Sequence, residues 1–237
     1  MKTFKVLSIL LSYPESEWLA HCDEMEQILY DEKLLSKSKL KGLSQLISDL
    51  KSSDLIELQE KYVAIFDRGA SHSLHLFEHI HGESRDRGQA MIDLLEMYNA
   101  NGLDVGTSDL PDYLPVFLEF LSTSNIKTAA HFLGETAKVL MLIKERLAKK
   151  KLDYRHVFSA LIEVANQKVN RKEIKKIVAA EREESFVDVD ANWVEPEAFG
   201  KNLFKAKDYL HQKIAMNIHS SNPHSQPNAV ATANQEQ

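Results

Sequence analysis

A chain of 237 residues with 43% hydrophobic content is long enough to bury a substantial core, either as one large domain or as two small ones. The formal net charge of −6 hides a basic stretch from Lys144 to Arg182, and the acidic remainder suits a basic partner better than a phosphate backbone. A single cysteine, Cys22, excludes an intrachain disulfide and any iron–sulfur or zinc centre built from several thiolates of this chain.

The first segment, MKTFKVLSILLSYPESEW, is apolar but broken by Ser8 and Ser12. It runs into Pro14, Glu15 and Glu17 with no small-residue cleavage site, so it does not read as a signal peptide. No stretch reaches the roughly 20 apolar residues of a membrane span, and a cytoplasmic location is expected. Cys22 lies among His21, Asp23 and Glu24, an acidic setting that disfavours a reactive thiolate, and reads as structural.

Helical periodicity then runs almost without interruption. Met25, Ile28 and Leu29, then Leu40, Leu43, Leu46, Ile47 and Leu50, then Leu55, Leu58, Tyr62, Ile65 and Phe66 recur at steps of three and four. Gly69 closes this series. The stretch Glu78 to Arg87, EHIHGESRDR, follows, with seven ionisable residues in ten and with Gly82 and Ser84 inside it. Its mixed charge reads as a junction between helices that is either a candidate site or a polar loop stitched by surface ion pairs. Met91, Leu94, Leu95 and Tyr98 mark the next helix, and Gly102 follows it.

Ser108 to Pro115, SDLPDYLP, places two prolines four residues apart and is expected to act as a hinge between helical lobes, with Asp112 capping the helix that follows and Pro115 in its first turn. Two further apolar stripes run from Ala129 to Leu147 and from Tyr154 to Ala165. Between Lys144 and Arg182 twelve Lys and Arg stand against five Asp and Glu, and the cations fall in KERLAKKK and NRKEIKK, interleaved with Glu145 and Glu173 and without aromatics inside those two runs. This reads as a solvated helix face rather than a nucleic-acid footprint. From Asn217 the composition is that of a disordered tail. With only eight glycines and no sustained alternation, the chain is expected to be all-α, a bundle of nine or ten helices over residues 1–216 with a tail over 217–237.

For chemistry, His75, Glu78 and His79 match H-x-x-E-H, in which two histidines hold zinc and the glutamate acts as base. The pattern has three fixed residues in a chain with ten histidines, and no third ligand stands out. No phosphate loop, dinucleotide fingerprint or nucleophile elbow accompanies it. The charged cluster reads better as a recognition surface than as a catalytic one, and the helical zinc metallo-hydrolase stays as the alternative.

The segment from Tyr62 to Leu121 carries FDRG (Phe66 to Gly69), SLHLFEHIHGESRDRGQAM (Ser73 to Met91), DLL (Asp93 to Leu95) and LPDYLPVFLEFLS (Leu110 to Ser122). With the opening SILLSYPE (Ser8 to Glu15), it closely resembles the NarJ family, the delta-subunit chaperones of respiratory nitrate reductase. From about Ser124 onward the likeness weakens to helix pattern and length. It reaches more distantly to the helical chaperones of DMSO-reductase-type enzymes, whose Pro-x-Asp-His hinge is replaced here by Pro111, Asp112 and Tyr113.

The resemblance implies a non-enzymatic cytoplasmic helper with no cofactor of its own. It would bind the apo catalytic (alpha) subunit through a leader-like N-terminal peptide and assist insertion of molybdenum bis(molybdopterin guanine dinucleotide). It would also hold the complex off the membrane, with no nucleic acid involved. A basic amphipathic peptide wants an apolar groove rimmed by carboxylates. Leu74, Phe77, Leu114, Phe117 and Leu118 are expected to line the groove, and Asp67, Glu78, Glu83, Asp86, Asp112 and Glu119 to rim it. Arg68, Arg85 and Arg87 would organise those carboxylates or grip acidic groups of the client. Tyr113 completes the set at the hinge. His79 and His81 titrate near neutrality if unperturbed, so client affinity is expected to vary between about pH 6 and 8.

Overall fold

The architecture follows from a computed structural model that describes residues 1–81, 86–106 and 109–181. The expected tail, 217–237, lies outside the described residues, as do residues 182–216 of the expected helical domain. Among the described residues there are eleven α-helices and no β-sheet, the one bridge joining His75 to Tyr113. The excess over nine or ten comes from short elements that a periodic pattern cannot resolve: α2 (Ser16–Leu19) is one turn beyond Pro14, and α6 (Leu76–His81) holds six residues.

The first helix, α1 (Lys2–Leu10), presents Phe4, Val6, Leu7 and Leu10 to the interior. It packs against α3 (Cys22–Glu32) and α8 (Leu114–Thr123). Its orphan first-turn donors are met from another helix, since Glu32 accepts from the backbone N–H of Lys2 at 3.0 Å and of Thr3 at 2.6 Å. A similar device starts α4 (Lys37–Ser52), where Glu163 accepts from the N–H of Ser36 at 2.6 Å and from its hydroxyl at 2.7 Å. Local caps serve elsewhere: Asp54 opens α5 (Leu55–Tyr62) and Asn125 opens α9 (Ile126–Lys149). Lys33 and Asn166 close α3 and α10 (Arg155–Ala165) in the left-handed region at φ 53° and 49°.

The 24 residues of α9 form the axis of the structure. This helix packs on α10, on α11 (Arg171–Ala180), on α8 and on the single 3₁₀ turn Ala70–His72. One continuous core joins Phe4, Leu43, Tyr98, Phe120, Leu140 and Phe158, and a small satellite of Met141, Leu142, Ile174 and Val178 attaches α11 to α9. No described helix is long and apolar enough to cross a membrane. Cys22 is buried, and burial pushes its thiol up from its ordinary value, in keeping with a structural role.

Where α4 crosses α10, Gly42 admits the His156 ring so closely that an added Cβ would stand 2.3 Å from its Nδ1. Gly42→Ala gains helix propensity of about 1 kcal/mol but loses more to overpacking, typically about 1–3 kcal/mol. Urea denaturation is expected to show a net loss for Gly42→Ala in the wild type and a net gain in a His156→Ala background, where only propensity remains.

Candidate functional site

The motif-rich stretch folds back on itself around a single carboxylate. Asp112 has no solvent exposure. One of its oxygens lies 3.2 Å from His75 Nδ1, and the other accepts from the backbone N–H of Phe77 at 3.1 Å. The Arg87 guanidinium stands 3.8 Å from that second oxygen and 3.3 Å from Glu78. Asp112 does not cap the helix that follows it, as the sequence suggests. Tyr113 holds that N-cap position, and the carboxylate serves the first turn of α6 instead. The backbone explains the choice, because Leu76 N–H donates to Asp112 O at 3.0 Å and Leu114 N–H to Leu74 O at 2.9 Å. These two bonds lay residues 74–76 against 112–114 and turn the Asp112 side chain inward. The Tyr98 hydroxyl fixes the same segment from below by donating to Pro111 O at 2.8 Å.

An aromatic train runs outward from this lattice. The His75 and Tyr113 rings are 5.3 Å apart, the Tyr113 and Tyr62 hydroxyls 3.0 Å apart, and the Tyr13 ring meets Tyr62 edge-on at 5.6 Å. The Tyr62 hydroxyl also donates to Leu11 O at 2.9 Å. Tyr62 ends α5 where the chain passes into a π-helical turn, Val63–Asp67. Such turns often mark functional sites, and this one sets Asp67 at the surface near His75.

The expected site residues separate by burial. Leu74, Phe77, Leu114, Phe117 and Leu118 are all buried core side chains, so they support the surface from beneath and do not line an open groove. Their helices need those side chains to pack on α1, α9 and the 74–76 segment. Asp67, Arg68, Asp86 and Glu119 are exposed, while Glu78, Arg87 and Tyr113 are half-buried. Of the three arginines, Arg87 organises carboxylates, whereas Arg68 forms no ion pair among the described residues. Glu83, Arg85 and the side chain of His81 lie outside the described residues.

The histidines also part company. His79 is buried with its Nε2 2.8 Å from Ser73 O, and burial pushes its pKa below the ordinary value, so it is not the unperturbed group the sequence suggests. His72 is pushed down to about 4, first by burial and then by Lys150 and Arg146. His75 moves the other way, because its hydrogen bond to Asp112 favours the imidazolium over the cost of burial. Burial raises Asp67 above the usual carboxylate range.

The zinc alternative loses its geometry here. His75 precedes the first residue of α6, so the two histidines do not stand one helical turn apart, and each is engaged elsewhere. Among the described residues no group of three His, Cys, Asp or Glu can hold a metal ion.

Sequence reasoning missed two residues in the basic stretch. Arg146 is largely buried, donating bidentately to Glu181 at 2.6–3.1 Å and to Ser71 O at 2.7 Å. Glu145, 6% exposed, accepts from both Lys144 and Arg171 at 2.8 Å. Burial alone would raise Glu145, but those two cations hold it below the ordinary range. A signal existed: both positions flank the apolar stripe of α9, where long side chains lie along a neighbour.

An all-α bundle in which His75, Glu78 and Arg87 gather around a buried Asp112 between two backbone segments is the class of protein the fold defines. The nitrate reductase delta subunit family matches residues 33–160, more than half of the chain. The nitrate reductase molybdenum cofactor assembly chaperone NarJ of Escherichia coli K12 is 37% identical over 191 residues, covering 80% of this chain and 81% of its own. The probable chaperone NarW of the same strain is 36% identical over 196 residues, 82% of each chain. The probable NarJ of Bacillus subtilis 168 is 28% identical over 160 residues, 68% of this chain and 86% of its own. The chain therefore belongs to the nitrate reductase delta subunit family.

Because the pKa of His75 is raised in the folded state, the stability it contributes is complete below the unfolded value of about 6.5 and disappears as pH rises through the folded value. For His72 the sign is opposite, with stability complete above about 6.5 and lost as pH falls towards 4. Imidazole NMR titration is expected to find His75 above and His72 below the ordinary value. In Asp112→Asn only the His75 resonance should return towards it.

Proposed function

We propose that this protein is an assembly chaperone of a respiratory nitrate reductase. It binds the catalytic subunit before the molybdenum cofactor is in place, assists its insertion and then departs. The observation that carries this reading is the 37% identity to an assembly chaperone over 81% of that relative's length. The bound client segment is the N-terminal leader-like peptide of the catalytic subunit, and the cargo is molybdenum bis(molybdopterin guanine dinucleotide). The work takes place in the cytoplasm, and covering the leader keeps the unfinished complex from attaching to the membrane.

The docking face is read from exposed carboxylates and aromatic rings. A basic amphipathic helix offers arginines on one side and aliphatic side chains on the other. Asp67, Asp86 and Glu119 supply exposed carboxylates for the first. Tyr113 and Tyr13 offer aromatic faces for the second, and these also attract cations. Neither tyrosine needs to reorganise on binding, because Tyr113 is held through Tyr62 and Tyr13 leans on the same ring. Such preorganisation lowers the entropy cost of capture. The Asp112 lattice keeps the face in register by tying residues 74–76 to 112–114.

A pull-down from native cytoplasm with metal analysis is expected to recover a molybdenum-poor nitrate reductase catalytic subunit; recovery of no molybdoenzyme would overturn the reading. With a synthetic basic leader peptide, Asp67→Lys combined with Glu119→Lys should weaken binding roughly tenfold or more. Both side chains are exposed, so Tm should barely move. Unchanged affinity would place the docking face elsewhere.

A further inference from the structure

A cavity of about 260 Å³ opens between α4, α9, α10 and the start of α11, remote in sequence from the motif-bearing stretch. Its floor is Met141 and Ile162, and its walls carry Lys39, Lys144, Ser159 and Arg171. The three cations come from three different helices. Their convergence is therefore a product of the fold and not of a local charge run.

Counting donors against acceptors shows what the cavity lacks. Glu145 is shared, since one of its oxygens takes both Lys144 Nζ and Arg171 Nε at 2.8 Å. The two terminal nitrogens of Arg171 have no partner among the described residues, and Lys39 forms no ion pair there. Glu163 also borders the cavity, but its two oxygens are taken by the backbone N–H and hydroxyl of Ser36 at 2.6 and 2.7 Å. The lining thus carries three cations against the one carboxylate of Glu163, around an open, partly apolar pocket at whose mouth Arg171 is 57% exposed. The same excess reaches the neighbouring His156, whose pKa is lowered first by burial, then by Arg155, with Lys39 and Lys144 adding to it.

We propose that this cavity binds the phosphate of an organic phosphate, with Lys39, Lys144 and Arg171 on the oxyanion, Ser159 donating, and the less polar body of the ligand on Met141 and Ile162. A planar guanidinium with its terminal nitrogens free matches phosphate oxygens in a bidentate manner, and lysines serve as point charges beside it. A free phosphate ester and the phosphates of a nucleotide-type cofactor share this chemistry. The site uses none of the residues of the docking face.

Isothermal titration calorimetry on the full chain with inorganic pyrophosphate and with a nucleoside diphosphate tests the proposal. Saturable binding of either is expected, weakened about tenfold by Lys39→Gln and by Arg171→Ala, with Arg171→Lys in between. Tighter binding of the nucleoside diphosphate points to a nucleotide-type ligand, and equal binding to a simple phosphate. Absence of binding at millimolar concentration, or affinities untouched in both variants while circular dichroism shows them folded, overturns it. Leader-peptide affinity is expected to stay at the wild-type level in Arg171→Ala. A failure here is thereby distinguishable from a failure of the chaperone reading.

Discussion

Asp112 is a carboxylate with no exposed surface. Burying an ion of that kind costs several kcal/mol unless its oxygens are well partnered. The chain meets that demand from two directions at once, with the His75 ring and Phe77 N–H from one segment and Arg87 from α7 (Asp86–Ala100). The partnering makes residues 73–77 and 111–114 a single unit. The local arrangement hangs from it: the placement of Tyr113, the start of α6, and the position of Arg87 next to Glu78. Removing only Asp112's partners would leave an uncompensated charge inside the protein, which is why a lattice of this type holds one arrangement rather than several.

A similar economy governs the C-terminal half. Glu145 and Arg146, adjacent on α9, point to two different neighbours. Glu145 receives Lys144 and Arg171, while Arg146 bridges Ser71 O and Glu181. The basic character of this stretch thus goes largely into binding α11 and the 70–72 turn to α9, and Lys144 and Arg171, both paired with Glu145, also border the cavity. The satellite core of Met141, Leu142, Ile174 and Val178 is small, so these polar ties bear a large share of the attachment of α11.

For the proposed role of holding a client segment and then releasing it, a rigid, preorganised face is a sensible physical solution. On the proposed docking face, affinity would come from exposed carboxylates and aromatic faces, each worth modest energy in water. The supporting Leu74, Phe77, Leu114 and Phe117 stay buried and need not be desolvated on binding. Binding can then be specific through charge pattern without becoming irreversible.

The helical content, the core stripes and the family membership could all be read from the chain itself. Periodicity at three and four residues is a local signal, and motifs such as LPDYLPVFLEF survive as contiguous strings. What tertiary structure alone decided was the direction of each polar side chain. Asp112 next to Pro111 looks like a cap for the helix that follows, until the Leu76–Asp112 and Leu114–Leu74 backbone bonds turn it towards α6. His79 looks like a pH sensor until it is found facing Ser73 O inside the core, with His75 taking the carboxylate. Arg146 and Glu145 look solvated until α11 and the 70–72 turn cover them. Burial and pairing depend on contacts between residues tens of positions apart, so a local pattern such as the stripe beside Glu145 and Arg146 can hint at burial but does not name the partner. The sequence by itself therefore determined which segments are helices and which family they build, while only the packing of those helices decided which charges are buried, which are shared and which face the solvent.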